Sequence, residues 1–536
     1  MARSKSRLSS TRNPPASLVQ GSIDTLTQGI SQQPPHLRSI GQGEVQLNGW
    51  SSPVDGLGKR RPTKYVGRIV PVPLADFYLE TMPVVDGERY SIFLYPTGGK
   101  TRMQILQNGQ TCAVDVHGAG LSGVTTGKLV EVEGTTSSYI YSAGEYLKGY
   151  VFINNGPFGM LLNRTKVTTM DAATTAAAKN EAMLFIRGVN YEITYTLTVN
   201  GATLPVYTTP KATDSNNLLS TDTVAQELLT RINAVAGFAA TRVGSVVHVK
   251  KTDGSDFTLN LADSRAGTLA NSFKTVTSSF SGLPTVAPNG FLLRIDGSPT
   301  TTDDDYWVQF VTRDSSAFGA GVWHEAPAPG VQYKLNVDTM PLVVYRKAPG
   351  VFFAGPADGA TRSQTVNGTV HSFTFPKWGE RTAGDEVSTP APSFIGKAIK
   401  DHNLFRSRYV VIAGESVVFS EVDEIFNFFA DTSVQVLDTD PIDVRAVSET
   451  STDLNWMLPI DESLLVFSTK SQFQVRPADA DVLTPRTAVC LRLSNIEMNP
   501  NLPPKIAGAN VVFATEEYGY TGFREYQFFD TQQRRI

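Results

Sequence analysis

Asp303-Asp304-Asp305 is the densest run of carboxylates in the chain, and adjacent acids of this kind can bind calcium. The run lacks the alternating ligand spacing and the distal bidentate glutamate of a calcium loop. It reads instead as a solvated turn before the strand-like Tyr306-Trp307-Val308-Gln309-Phe310. Asp438-Thr439-Asp440-Pro441-Ile442-Asp443 offers the acids a glycosidase would need, two of them at a fixed separation across a sugar. Asp-Pro is a common turn opener, so this segment is expected to turn the chain into Val444. The histidines (His36, His117, His248, His324, His371 and His402) are scattered, and none forms HExxH or a pair at metal spacing. There is no GxSxG, no Walker A lysine and no Rossmann glycine pattern before a helix. No catalytic, metal-binding or cofactor-binding residue is assigned, and no cofactor is expected.

The elements that would hold such groups are constrained by composition. Lys and Arg number 47 against 51 Asp and Glu, a net charge of −4, so no global basicity marks a nucleic-acid binder. With 536 residues, two or more domains are expected. Glycine (44) and proline (31) are frequent beside 18% charged residues, which favours turns and strands over helical bundles. No apolar run approaches the ~20 residues of a membrane span. The basic N-terminus (Arg3, Lys5, Arg7, Arg12) precedes no apolar stretch and is not a secretory signal. Cys112 and Cys490 stand alone, which excludes a disulfide framework and allows assembly in a reducing cytoplasm.

Residues 1–45 read as an extended N-terminal arm. Residues 1–20 are rich in Ser, Arg and Pro and are expected to be flexible alone, with an extended reach on the order of 65–70 Å. Gln28-Gly29-Ile30-Ser31-Gln32-Gln33-Pro34 is polar and punctuated by glycine and proline, so it cannot build a core. Trp50 is the first large apolar anchor, and Lys59-Arg60-Arg61 the first basic cluster after it.

From about 65 the texture is β. Arg89 to Tyr95 and Met103 to Leu106 are strand-like, and Asn108-Gly109 is a hairpin signal. Short strands at this spacing suit a propeller or a sandwich, though no repeat such as a WD dipeptide fixes a blade count. The Ala/Thr-rich stretch 171–178 marks a boundary. After it Tyr191, Ile193, Tyr195, Leu197 and Val199 alternate with polar residues, and Asn200-Gly201 closes a hairpin. A helix is predicted over about 222–235, capped by Thr221 or Asp222, with Val224, Leu228 and Ile232 on one face and Gly237 as its stop. Val246 to Lys250 and Phe257 to Leu261 are predicted to form a hairpin around Asp253-Gly254. The short-strand texture returns from about 340. The expected fold is mainly β: the arm, a β-propeller-like domain in two parts (46–170 and 339–536), and an α+β insert domain (171–338) between them.

The arm, with Asn48-Gly49-Trp50-Ser51-Ser52 and Gly56-Leu57-Gly58-Lys59-Arg60-Arg61-Pro62, resembles the N-terminus of the tail nozzle subunits (tail tubular protein B) of short-tailed bacteriophages. The likeness continues through Ala287-Pro288-Asn289-Gly290-Phe291, Asp338-Thr339-Met340-Pro341, His402-Asn403-Leu404-Phe405-Arg406-Ser407-Arg408, Phe426-Asn427-Phe428-Phe429 and Ser471-Gln472-Phe473, in family order. Each motif is weak and the ordered series is strong.

The resemblance implies a virion structural subunit, assembled in the host cytoplasm into a hexameric ring at the distal end of the tail tube. Such rings follow a tail adaptor ring protein, carry a tail fibre protein and enclose the channel through which genomic DNA passes. It also implies a β-propeller with inserted domains. Gln28, Gly29, Ile30, Gln32, Gln33, Pro34, Trp50, Lys59, Arg60 and Arg61 are the expected assembly contacts. Nozzle subunits are usually longer, and a β domain ending near Phe513 and Phe523 would have an open edge, so a companion nozzle polypeptide is an expected partner. The rival reading is an enzymatic tail component that degrades host envelope polysaccharide or peptidoglycan. A fibre-like adhesin is a third, but neither heptads nor tandem repeats are present.

Overall fold

The computed structural model describes residues 26–65 and 76–527, except the short stretches 85–86, 98–99, 119–120, 123–131, 135–137, 143–144, 216–218, 298–304, 448–452, 461–462, 479–481, 509 and 518. The chain divides into two compact units, 1–69 and 70–536. It is mainly β, and among the described residues only the helix Thr221–Asn233 exceeds a single turn.

Five sheets of the larger unit follow one another in the chain, and each shares an apolar core with the next. The first contains Tyr78–Pro83, Arg89–Thr97 and Lys100–Gln107 as an antiparallel meander. The second pairs Tyr150–Asn155, Phe158–Asn163, Leu342–Ala348 and Val351–Gly355 antiparallel, with Ala113–Val116 added in parallel. Asp401–Phe405, Arg408–Ala413, Ser416–Phe419 and Ile442–Arg445 make the third. The fourth is Leu454–Ile460, Ser463–Ser468, Gln472–Pro477 and Ala488–Ser494, and the fifth Lys505–Ala507, Asn510–Glu517 and Tyr520–Gln527.

Alternation along the strands explains the stacking, because successive side chains point to opposite faces. In the second sheet, Leu161, Leu342, Val344 and Phe352 face the first sheet's Tyr90, Ile92 and Ile105. Met160, Val343 and Phe353 face the third sheet's Tyr409 and Val411. Val410, Ile412 and Val417 then pack on Leu464, Val466 and Phe473. Strands such as Arg408–Ala413 are buried from end to end, which is why they read as apolar runs. Phe513 lies in the last core beside Phe467, whereas Phe523 is 75% exposed.

The strands between Glu181 and Ala326 pair only with one another among the described residues. Ser220 caps the helix, its Oγ accepting the Thr223 N–H at 3.0 Å; the cap is thus one residue before the expected Thr221. Val224, Leu228 and Ile232 are buried against the sheet, and Gly237 (φ +83°) lets the chain leave. The Asn108-Gly109 and Asn200-Gly201 hairpins form with both residues left-handed. Asp253-Gly254 turns the chain but closes no hairpin. Asp253 takes the Ser255 N–H and hydroxyl locally, and Leu259–Asp263 crosses to pair with Thr194–Val199. Tertiary pairing overrides the local signal there.

The two ends of this region are tied to the sheets by an irregular neck. Arg381, 2% exposed, donates to the Gln332 carbonyl at 2.7 Å and pairs with Glu386 at 3.0 Å. Glu325 accepts the Thr432 hydroxyl at 2.6 Å and the Ser433 N–H at 2.6 Å.

Five strands, each at the edge of its sheet, meet around one cavity of about 400 Å³: Tyr78–Pro83, Tyr150–Asn155, Asp401–Phe405, Leu454–Ile460 and Lys505–Ala507. Asp401 spans two of them, taking the Met457 N–H at 2.7 Å while accepting its neighbour His402's N–H at 2.9 Å. His402 spans back, with Nε2 3.2 Å from the Val151 carbonyl and Nδ1 2.7 Å from the Tyr409 hydroxyl. A neutral ring with its proton on Nε2 satisfies both contacts. Burial pushes the Asp401 carboxyl up to about 7, an effect that the backbone donors and Arg164 only partly offset. Burial pushes the His402 imidazole down to about 3.

These two groups give opposed pH dependences. The Asp401 contribution to stability is complete below the ordinary value of 3.8 and is lost as pH rises to about 7. The His402 contribution is complete above 6.5 and is lost as pH falls toward 3. They therefore oppose each other between pH 4 and 6.5. Asp401→Asn removes one side of the balance. The variant should gain stability on the parent as pH rises from 4 to 7, by on the order of 4 kcal/mol. Urea unfolding of both proteins at pH 4, 5.5 and 7 measures it, and a constant difference would refute the assignment.

Candidate assembly surface

The smaller unit is built from two local pieces. Residues 28–44 close on themselves instead of running extended as the sequence suggests. Ile30 bridges Gly43 in parallel, the Gly43 N–H donates to the Gly29 carbonyl at 2.8 Å, and the Gln28 N–H reaches the Gly41 carbonyl at 3.2 Å. Gly29 sits at φ +72°, a conformation other residues resist. Arg38 staples the loop, donating Nε to the Gln33 carbonyl at 2.8 Å and pairing with Glu44 at 3.1 Å. Pro34 accepts the Leu37 N–H and starts the one-turn helix Pro35–Leu37. Gln28, Ile30, Gln32, Gln33 and Pro34 are exposed around this loop.

The second piece is the hairpin Gly49–Ser52 with Gly56–Lys59. Trp50 stands opposite Gly58, which has no side chain to cover the indole, and the ring is 69% exposed. The Arg60 N–H extends the ladder to the Asn48 carbonyl at 2.8 Å. Trp50, Lys59, Arg60 and Arg61 border a concavity of about 500 Å³ with Ser52 and Asp55. The ten expected residues thus fall into two groups, one on the loop and one on the hairpin.

Sequence reasoning missed Leu37, Ile40, Val45, Leu47, Val54, Leu57 and Tyr65, all exposed large apolar side chains of the same unit. No hydrophobic side chain in 26–65 is buried. The available signal was a set of apolar residues with no helical or strand period in a glycine- and proline-rich stretch. A typical surface tolerates scattered apolar residues, but in 26–65 every large apolar side chain is at least partly exposed.

The acidic runs have other employment. Asp305 is 3.7 Å from Arg294 and only 12% exposed, so it is an ion-paired strand start and not a solvated turn. Asp303 and Asp304 lie outside the described residues. Asp440 takes the Leu437 N–H at 2.7 Å in the turn expected before Val444, and Asp443, in the strand Ile442–Arg445 that follows, takes the Ser393 N–H at 2.8 Å. This turn grips Arg408. Its guanidinium donates to the carbonyls of Ser420 (2.6 Å), Asp440 (2.7 Å) and Asp438 (3.0 Å). Arg408 is 1% exposed, so Arg408→Met should orphan buried carbonyls and lower stability by about 3 kcal/mol or more, measured by denaturant unfolding. Retained stability would show that the turn does not depend on this side chain.

The model of the bacteriophage nozzle protein family matches residues 16–535. The tail tubular protein gp12 of Escherichia phage T7 is 25% identical over 524 residues, covering 95% of this chain and 59% of that protein. The chain therefore spans about three-fifths of that relative's length. Among solved structures, the extracellular domain of a one-component system of B. thetaiotaomicron aligns over 84% of this chain and 81% of its own. Its identity is 8% and its TM-score 0.18, and it carries no argument about fold or function. With the family match running across nearly all of its length, the chain belongs to the bacteriophage nozzle protein family.

Proposed function

We propose that this chain is a structural subunit of a phage tail nozzle, assembled in the host cytoplasm and carried in the virion. Six copies form a closed ring at the distal end of the tail tube, around the channel for DNA ejection. Each copy meets the next through unlike faces, as ring closure requires. The tail adaptor ring protein, the tail fibre protein and a companion nozzle polypeptide are its proposed partners, and it catalyses no reaction. The observation that carries this reading is the unbroken family match from residue 16 to residue 535. The T7 relative is by its name a tail tubular protein.

The body is proposed to be propeller-like (70–170 and 339–536), with 171–338 inserted into it; the hairpin within 46–69 falls in the smaller unit. Five successive sheets sharing cores, with their edge strands meeting at one cavity, support that arrangement. The insert would leave between the second and third strands of the second sheet, Phe158–Asn163 and Leu342–Ala348. The loop and hairpin of 26–65 would supply the assembly contacts at Gln28 to Pro34, Trp50 and Lys59 to Arg61.

Native mass measurement of the purified assembly, with end-on images of particles, tests the stoichiometry. Six-fold rings are expected; a stable trimer or dimer in the virion would overturn the reading.

A further inference from the structure

The charge of this chain is unevenly placed. Residues 1–65 hold nine of the 47 Lys and Arg but only three of the 51 Asp and Glu (Asp24, Glu44 and Asp55), a formal +6. The remaining 38 basic and 48 acidic residues leave 66–536 at −10. Three of the nine basic residues, Lys59, Arg60 and Arg61, border one concavity together with Trp50 and a single acid, Asp55. Among the described residues of the smaller unit, 26–65, no hydrophobic side chain is buried. A segment that cannot make a core must find one on a partner, and its charge selects which partner.

We infer that the Trp50 hairpin docks on the acidic body, residues 70–527, of a second copy of this chain. Trp50 supplies the large rigid anchor such contacts favour. Lys59, Arg60 and Arg61 steer the hairpin toward an oppositely charged surface. The contact is heterologous, since the hairpin of one copy meets the body of another, so it can propagate around a ring. The inference rests on the proposed self-assembling subunit and adds the surface, the partner and the chemistry of the contact.

Photo-cross-linking from position 50 tests it in the full chain. A photoreactive phenylalanine derivative replaces Trp50, and unlabelled and ¹⁵N-labelled chains are mixed before illumination. Cross-links between isotopically different chains, mapping to residues 70–527, are expected. They should weaken at 0.5 M salt, where screening shortens the reach of charge to a few ångströms. The variant Lys59→Glu/Arg60→Glu/Arg61→Glu should reduce association about tenfold or more, with unchanged circular dichroism and melting. Cross-links confined to one isotope would place the hairpin on its own body and overturn the inference. So would association indifferent to charge reversal, or cross-links to added duplex DNA in place of protein. A six-fold ring that forms equally well in the reversed variant would remove this inference and leave the nozzle reading standing. A trimer with inter-chain cross-links at position 50 would do the opposite.

Discussion

Everything in the larger unit depends on one strand pairing across a long interval. Phe158 to Leu161 pair antiparallel with Tyr345 to Leu342, and this ladder holds together segments separated by the whole of the intervening region. Closing so long a loop costs entropy, although the cost grows only slowly with length. The offset comes from burial on both faces of this sheet, where Leu161 and Val344 look one way and Met160 and Val343 the other. On the other side of the same strand, the local hairpin with Tyr150–Asn155 is packed closely enough to dictate a residue. A Cβ on Gly159 would lie 2.2 Å from the Phe152 ring, so only glycine fits there without moving an aromatic side chain.

Once that sheet is set, its neighbours follow by the same logic. The third and fourth sheets have no free apolar face, because each lies between two others. Edge strands are a liability when they face water, and here five of them face one another around a shared cavity. Polar groups fix their spacing. Asp401 and His402 reach main-chain groups of the flanking edges, and Arg164 spans to the Asn455 carbonyl at 3.1 Å while its guanidinium lies 4.0 Å from the Trp456 ring. Each contact uses up a side chain that would otherwise be available for chemistry. An Asp, a His and an Arg buried together resemble a catalytic set by residue type, but here their hydrogen bonds lock edges together.

Local signals were legible in the sequence. The helix face of Val224, Leu228 and Ile232, the Asn-Gly turns and the Asp-Pro turn all depend on residues within a few positions of each other. The family order of motifs was legible too, because it needs no geometry. What escaped the reading were contacts whose partners lie far apart. Nothing near Arg408 announces the carbonyls of Asp438 and Asp440, and nothing near Glu325 announces Ser433. The hairpin expected at Asp253 failed for the same reason, since the partner of Leu259–Asp263 was a strand some sixty residues earlier, Thr194–Val199. At the candidate assembly surface the basic and tryptophan positions could be named, while apolar residues without a period, such as Ile40 and Val45, could not.

The two units divide the physical work. The larger one holds its form by apolar burial between sheets, which is non-directional and strong in sum. The smaller one holds its form by hydrogen bonds that run a few residues along the chain, such as Arg38 to Gln33 and Gly43 to Gly29. Bonds of this kind fix shape but contribute only about 1 kcal/mol each in water, too little to order forty residues against their conformational entropy. The apolar area that would make up the difference is present but faces outward, at Ile40, Leu47, Trp50 and Val54. Local bonds therefore shape this piece while its large apolar side chains stay exposed.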